Sequence, residues 1–303
     1  MRIFDRTVAT ALPLVPRPLV RRFADRYMAG ETLEEAVQTV RALNGEGMMA
    51  TVDVLGESIR EPAEATVTVE RYVEVLETIQ EKGLDANISV KLSALGLEID
   101  RNLASENAAR LVGEADRREI FVRLDMEHSG LTDATLEIYR ELRDAGRDRV
   151  GVVIQAYLRR SLGDLRDLAP LRPNVRLVKG IYVEPPAIAY RDPDTVNRNF
   201  VDLVEELAGA GSYVAVATHD PFVVDESLRL FDRMRLDPGA YEFQMLLGVA
   251  EELRRQLVDH GHRMRVYVPF GKAWYNYSVR RLRENPSIAG YVARDVIRSI
   301  SPI

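Results

Sequence analysis

The chain of 303 residues is 46% hydrophobic and 29% charged, a mixture that excludes a disordered chain and allows a full core. Its formal net charge of −6 excludes bulk attraction to nucleic acid, and zero cysteines exclude disulfides, cysteine nucleophiles and thiolate metal sites. No stretch approaches the ~20 apolar residues that span a bilayer, and Met1 to Asp5 lack a signal-peptide core, so a soluble, cytoplasmic protein is expected.

Residues 1–47 read as an N-terminal helical extension of one or two helices. Arg17, Arg21, Arg22 and Arg26 make part of it weakly basic and amphipathic. A packed helix with solvated arginines is the favoured reading, and peripheral contact with the inner face of a membrane stays open. Residues 48–303 read as one catalytic domain, in which eight short apolar runs recur at 49–55, 88–92, 120–125, 150–155, 175–179, 213–217, 241–245 and 264–268. Continuous apolar runs of this length suit parallel strands buried on both faces. Between them, segments such as 69–79, 136–142 and 200–207 place apolar residues at helical steps of three and four. Gly83, Gly146, Gly211 and Gly261 stand where helices should stop. The alternation predicts an α/β fold, a (β/α)8 TIM-type barrel with a final helix after strand 8; an open doubly wound sheet is the alternative.

Polar residues gather at the ends of these runs. In chain order they are Asp53 and Glu57, then Lys91 and Ser93, then Asp125, Glu127 and His128, then Gln155 and Tyr157. They continue with Arg176, Lys179 and Tyr182, then Thr218, His219 and Asp220, then Gln244, then Tyr267. In a barrel those ends converge on one mouth, where active sites of this fold lie. Singly each has an ordinary reading, such as a solvated Lys91 or an N-capping Asp125; together they favour an active site. On the helix expected after strand 8, Tyr277, Arg280, Arg281 and Glu284 share an arc of about 100° at ~100° per residue. Two adjacent arginines there could clamp a carboxylate or phosphate, and an exposed salt-bridge face is equally open.

There is no G-x-G-x-x-G, P-loop or G-x-S-x-G segment. No metal set is expected, although Asp125, Glu127, His128 and His219 leave a two-strand site as a minor alternative. Lys91 and Lys179 at strand ends leave a Schiff-base or metal-assisted barrel lyase as the competing enzyme class. A binding module without catalysis is disfavoured, because an inert barrel has no reason to desolvate so many charges.

Several segments resemble the flavin-dependent proline dehydrogenases: Val90-Lys-Leu-Ser-Ala-Leu95, Leu124-Asp-Met-Glu-His128, Gln155-Ala-Tyr-Leu158 and Arg176-Leu-Val-Lys-Gly180. So do Ala217-Thr-His-Asp220, Glu242-Phe-Gln-Met-Leu246, Val266-Tyr-Val-Pro269 and Tyr277-Ser-Val-Arg-Arg-Leu-Arg-Glu284, in order through most of residues 45–285. The length leaves no room for a fused aldehyde dehydrogenase domain, so the resemblance is to a monofunctional bacterial member.

The resemblance implies a (β/α)8 barrel that binds FAD, oxidises L-proline to Δ1-pyrroline-5-carboxylate and passes electrons to a membrane quinone. It implies that Arg280 and Arg281 bind the substrate carboxylate with help from Lys91. Tyr267, Tyr277 and Leu246 pack the pyrrolidine ring, and Asp125 supports the set through hydrogen bonds. Arg176 lies near flavin N5, Gln155 meets the flavin edge, and Met126, Val178, Lys179, Gly180, Ile181, Thr218, His219 and Glu284 complete the cofactor site. The chain departs from the family pattern at Ile181, where a small residue is common, and at Asp220, where asparagine is frequent.

Overall fold

The eight runs are short and rich in β-branched, aliphatic and aromatic residues, and in the computed structural model, which describes residues 26–56, 59–275 and 278, each run forms a strand. They are β1 (Met49–Val54), β2 (Ala86–Lys91), β3 (Val122–Asp125), β4 (Val150–Gln155), β5 (Asn174–Val178), β6 (Tyr213–Ala217), β7 (Tyr241–Leu246) and β8 (Met264–Phe270). Neighbours pair in parallel and in chain order, and β8 closes onto β1, from Met49 opposite Arg265 to Val54 opposite Phe270. Closure excludes the open sheet; the fold is a (β/α)8 barrel.

Helices α1 (Leu33–Gly45), α2 (Pro62–Glu81), α3 (Arg101–Arg117), α4 (Thr132–Asp144), α5 (Ser161–Leu168), α6 (Pro193–Gly209), α7 (Pro221–Met234) and α8 (Glu251–Asp259) surround the strands. Several begin earlier than their periodic stretch, because Pro62, Pro193 and Pro221 take the first turn, where a missing N–H costs no hydrogen bond. The four expected helix-stop glycines all hold positive φ, between 58° and 82°. Helix α1 starts at a capping box of Thr32 and Glu35 and lays Val37, Val40 and Leu43 on the seam between β8 and β1. The Ala29 N–H donates to the Pro269 carbonyl at 2.9 Å, tying the preceding segment to the same seam. No helix among the described residues is long and apolar enough to cross a membrane.

The strands are buried on both faces, but their two faces differ in chemistry, which corrects the expectation of runs that are apolar throughout. Outward side chains such as Val52, Ile88, Leu124, Val152, Leu177, Phe243 and Val266 form the core with the helices. The alternate residues are polar and buried, among them Thr51, Asp53, Asn87, Ser89, Arg123, Arg176, Glu242, Gln244 and Arg265. Strand β5 pairs only with β4 and β6, so the bonds of Arg176 to Ser89 on β2 and Gln244 on β7 cross the lumen. Charges survive there because each is met by an opposite charge or by hydrogen bonds from another strand.

Candidate active site

In a parallel barrel all strands end on one face, and inward residues two apart on one strand stack along the axis. This stacking places Ser89 below Lys91 on β2 and Arg123 below Asp125 on β3. The Asp125 carboxylate is the hub of the mouth. Its Oδ1 accepts from Ser89 Oγ at 2.7 Å and from Arg176 Nη1 at 2.6 Å. Its Oδ2 accepts from the Tyr267 hydroxyl at 3.2 Å and stands 4.0 Å from Lys91 Nζ. Asp125 is therefore not a helix cap, and Lys91, whose side chain is 11% exposed, is not a solvated lysine. Lys91 also lies 3.5 Å from Asp53 Oδ2, and Arg176 sits over the Tyr267 ring at 5.5 Å. Four predicted residues, Lys91, Asp125, Arg176 and Tyr267, thus meet in one cluster.

The remaining strand ends frame this cluster. Arg176 Nε donates to Gln244 Oε1 at 2.6 Å, while its Nη2 is buried and has no hydrogen-bond partner among the described residues. Gln155 is 2% exposed and donates from Nε2 to the Glu127 carbonyl at 2.8 Å. Glu127 in turn holds Ser93 through N–H at 3.0 Å and Oγ at 2.6 Å. His219 Nε2 accepts from the Leu246 N–H at 2.9 Å, which joins two predicted residues. Met126 and Thr218 are buried, and the Thr218 N–H donates to the Gln244 carbonyl at 3.2 Å. Strand β5 ends at Val178, one residue before Lys179. His128 caps the short turn after β3, and no group of three His, Asp or Glu side chains among the described residues is placed to hold a metal ion.

Both departures at the mouth acquire a physical setting. Lys179 is ion-paired with Asp220, which also accepts from Asn197 and caps α7 through the Phe222 N–H. Burial alone would raise the Asp220 carboxyl, but Lys179, Asn197 and that N–H together hold it below the ordinary carboxylate range. Ile181 is half-exposed on the loop that follows Gly180. Gly180 has φ +105°, and a Cβ there would fall 2.1 Å from Tyr157 Cδ1, so the tyrosine ring lies directly on the glycine.

Asp53 stands among the strand-end polar residues of the sequence but has no role assigned from it. Ser89 is not among them, though legible in principle, since it is a polar residue on the same face of β2 as Lys91. Tyr72 of α2, which bonds to Asp53, carried no signal, because an aromatic at helical spacing reads as core. Tyr277, Arg280, Arg281 and Glu284 lie outside the described residues, as do Glu57 and Arg17 to Arg22.

The opposite end of the barrel holds a cavity of about 540 Å³, lined by Arg118, Asn174, Tyr213, Arg263 and Arg265 among others. Its strand-borne charges are already engaged within the protein. Arg265 Nε donates to Glu242 at 2.9 Å, and Glu242 also accepts from the Tyr213 hydroxyl at 3.0 Å. Arg123 donates to the carbonyls of Val152 at 3.0 Å and Asn174 at 2.6 Å. Burial and then the charge of Arg176 push Arg123 down to about 9, which leaves it charged at neutral pH. These residues fill the floor of the barrel, and the Asp125 cluster is at the mouth.

Comparison with known proteins identifies the family. Residues 36–294 match the sequence profile of the proline dehydrogenase family. The chain is 40% identical over 279 residues to proline dehydrogenase from Deinococcus radiodurans, covering 91% of this chain and 90% of the relative. It is 37% identical over 275 residues to proline dehydrogenase 1 from Bacillus subtilis, covering 91% of each. The crystal structure of proline utilization A from Bdellovibrio bacteriovorus, inactivated by N-propargylglycine, superposes with a TM-score of 0.82 at 26% identity. That match covers 88% of this chain and 33% of the larger one, so the chain spans about a third of that structure.

Proposed function

Since this chain belongs to the proline dehydrogenase family, whose members are oxidoreductases acting on proline, we propose that it converts L-proline to Δ1-pyrroline-5-carboxylate with FAD as hydride acceptor. A membrane quinone then takes the electrons. Proline oxidation is the first step of proline catabolism. The observation that carries the reading is the cluster of Lys91, Asp125, Arg176 and Tyr267 at the mouth.

The residues present suit a flavin. Arg176 keeps a buried Nη2 donor with no partner among the described residues, which a polar edge of a flavin would satisfy. Arg176, Gln155, Lys179, Gly180, Thr218 and His219 would hold the cofactor, with Met126, Val178, Ile181 and Glu284 completing its site. FAD would supply the acceptor for the hydride that leaves C5 of the substrate.

This chain's own residues bind and align. The described cluster is charge-balanced: Lys91 and Arg176 face Asp53 and Asp125. An incoming carboxylate therefore needs further cations, which we assign to Arg280 and Arg281, with Lys91 completing the clamp. Tyr267 is fixed by its bond to Asp125, so its ring presents a set face to the substrate, with Leu246 and Tyr277 closing the pocket. Asp125 holds Arg176, Lys91 and Tyr267 in one geometry, which is the alignment that hydride transfer chiefly needs. The lyase alternative is less well supported, because Lys91 and Lys179 are both tied in ion pairs, whereas an amine that attacks a carbonyl must be free and neutral.

The test is the visible spectrum of the purified protein supplied with FAD. A bound yellow flavin that L-proline bleaches in the absence of air is expected. A protein that binds no flavin after FAD is added overturns the reading.

A further inference from the structure

Tyr72 lies on α2, outside the barrel wall, yet its hydroxyl reaches the seam between β1 and β2. Paired positions on these strands run as far as Asp53 opposite Ser89. At that end the Val54 N–H and the Ser89 carbonyl turn to the phenol instead, at 3.3 and 2.7 Å. The same oxygen is 3.1 Å from Asp53 Oδ1, so the single phenol proton is shared between that carboxylate oxygen and the Ser89 carbonyl. Tyr72 is 1% exposed. Burial and then the Asp53 charge push the phenol well above its ordinary value, so it keeps its proton as a donor. The other oxygen of Asp53 meets Lys91 Nζ at 3.5 Å.

We propose that Tyr72 is a positioning residue for substrate binding: acting through Asp53, it fixes the Lys91 ammonium at the carboxylate end of the pocket. This rests on the reading above, in which Lys91 meets the substrate carboxylate. An ammonium on a flexible four-carbon stem has no geometry of its own, and among the described residues Lys91 lies within reach of two carboxylates, Asp53 and Asp125. With Oδ1 of Asp53 turned to the phenol, Oδ2 faces Lys91, and the ammonium rests between Asp53 and Asp125. Without the hydroxyl, Asp53 turns to offer both oxygens and draws Lys91 away from the mouth.

Tyr72→Phe keeps the ring in the core and removes only the hydroxyl. In the FAD-loaded protein, the KM for proline should rise about three- to tenfold, the scale of one hydrogen bond, with kcat within about twofold. Cyclopentanecarboxylate, which has the carboxylate but no amine, should bind more weakly by the same factor. Pyrrolidine, which has no carboxylate, should bind as to the parent protein. Lys91→Met should raise the KM by itself, and adding Tyr72→Phe to it should change nothing further, since both act on one contact.

A role confined to the strand seam would weaken both ring ligands alike, or add to Lys91→Met in full, and either result overturns the proposal. So does an unchanged KM in Tyr72→Phe while Lys91→Met raises it, which leaves the reading of Lys91 standing. If Lys91→Met alters neither KM nor cyclopentanecarboxylate binding, the assignment of Lys91 falls, and this proposal with it. Should Tyr72→Phe prove too unstable to purify, Asp53→Asn removes the charge through which the phenol acts on Lys91, so it should shift the KM for proline and cyclopentanecarboxylate binding together and leave pyrrolidine binding as in the parent; a KM that does not move overturns the proposal.

Discussion

At Gly180 the backbone sets a condition that no other residue satisfies. Its φ of +105° lies where L side chains are strained, and the Tyr157 ring occupies the place a Cβ would take. The ring cannot withdraw easily, because the Tyr157 N–H donates to the Lys179 carbonyl at 2.8 Å and its own carbonyl accepts from the Tyr190 N–H at 2.7 Å. Gly180→Ala should therefore cost about 2–4 kcal/mol, the sum of the backbone strain and an overpacked contact. The displaced segment carries Lys179 and Ile181, so, on the proposed function, flavin affinity should fall with the melting temperature. Calorimetry and a flavin titration on the same preparation measure both; an alanine variant that matches the parent in stability would show that the ring moves freely.

At the scale of elements, strands and helices were legible to different degrees. The strands were found nearly to the residue, because each alternates one buried apolar face with a second face that is also shielded from water, so its burial signal is dense. Helix beginnings were not found, since Pro62, Pro193 and Pro221 interrupt the apolar periodicity while serving as first-turn residues. Asp220 illustrates the overlap of roles: its place in Thr218-His219-Asp220 marks a strand end, and its carboxylate also caps α7. Helix α1 matters out of proportion to its length because it covers the seam where the barrel closes. Its capping box is formed by Thr32 Oγ1, which accepts from the Glu35 N–H at 3.3 Å, while Glu35 accepts from the Thr32 N–H at 2.8 Å. Thr32→Ala should cost about 1 kcal/mol. If α1 unfolds together with the barrel, the loss appears in the main thermal transition; a separate early transition in the variant would show instead that the seam helix unfolds alone.

The whole molecule is a barrel whose lumen is held by charges rather than by packed apolar layers. This was half legible. The ends that carry Lys91, Asp125, Arg176 and Tyr267 stood out because polar residues terminate apolar runs. Arg123, Glu242 and Arg265 did not, since a polar residue inside a strand reads equally well as the solvent side of a half-buried sheet, and only closure makes that side interior. The Glu242–Arg265 pair shows what such a lumen requires. Burial would raise the Glu242 carboxyl, but the charge and hydrogen bonds of Arg265, with Gln244 and Arg123, hold it below the ordinary range. A carboxyl that titrates lower in the folded chain than its unfolded value of about 4.3 contributes fully above that value, and the contribution is lost as pH falls through the folded one. Glu242→Gln should therefore cost about 3–5 kcal/mol at neutral pH, because Arg265 is left buried beside no anion. The same variant should lose less stability than the parent as pH falls below about 4.3, having no carboxylate left to protonate. The double variant Glu242→Met with Arg265→Met removes both charges and fills similar volume, so it should recover most of the neutral-pH loss. Urea midpoints across the pH range decide the matter. A double variant as unstable as the sum of its single changes would mean that the floor depends on the hydrogen bonds themselves, to Tyr213, Gln244 and the Ala50 carbonyl, and not on the balance of charge.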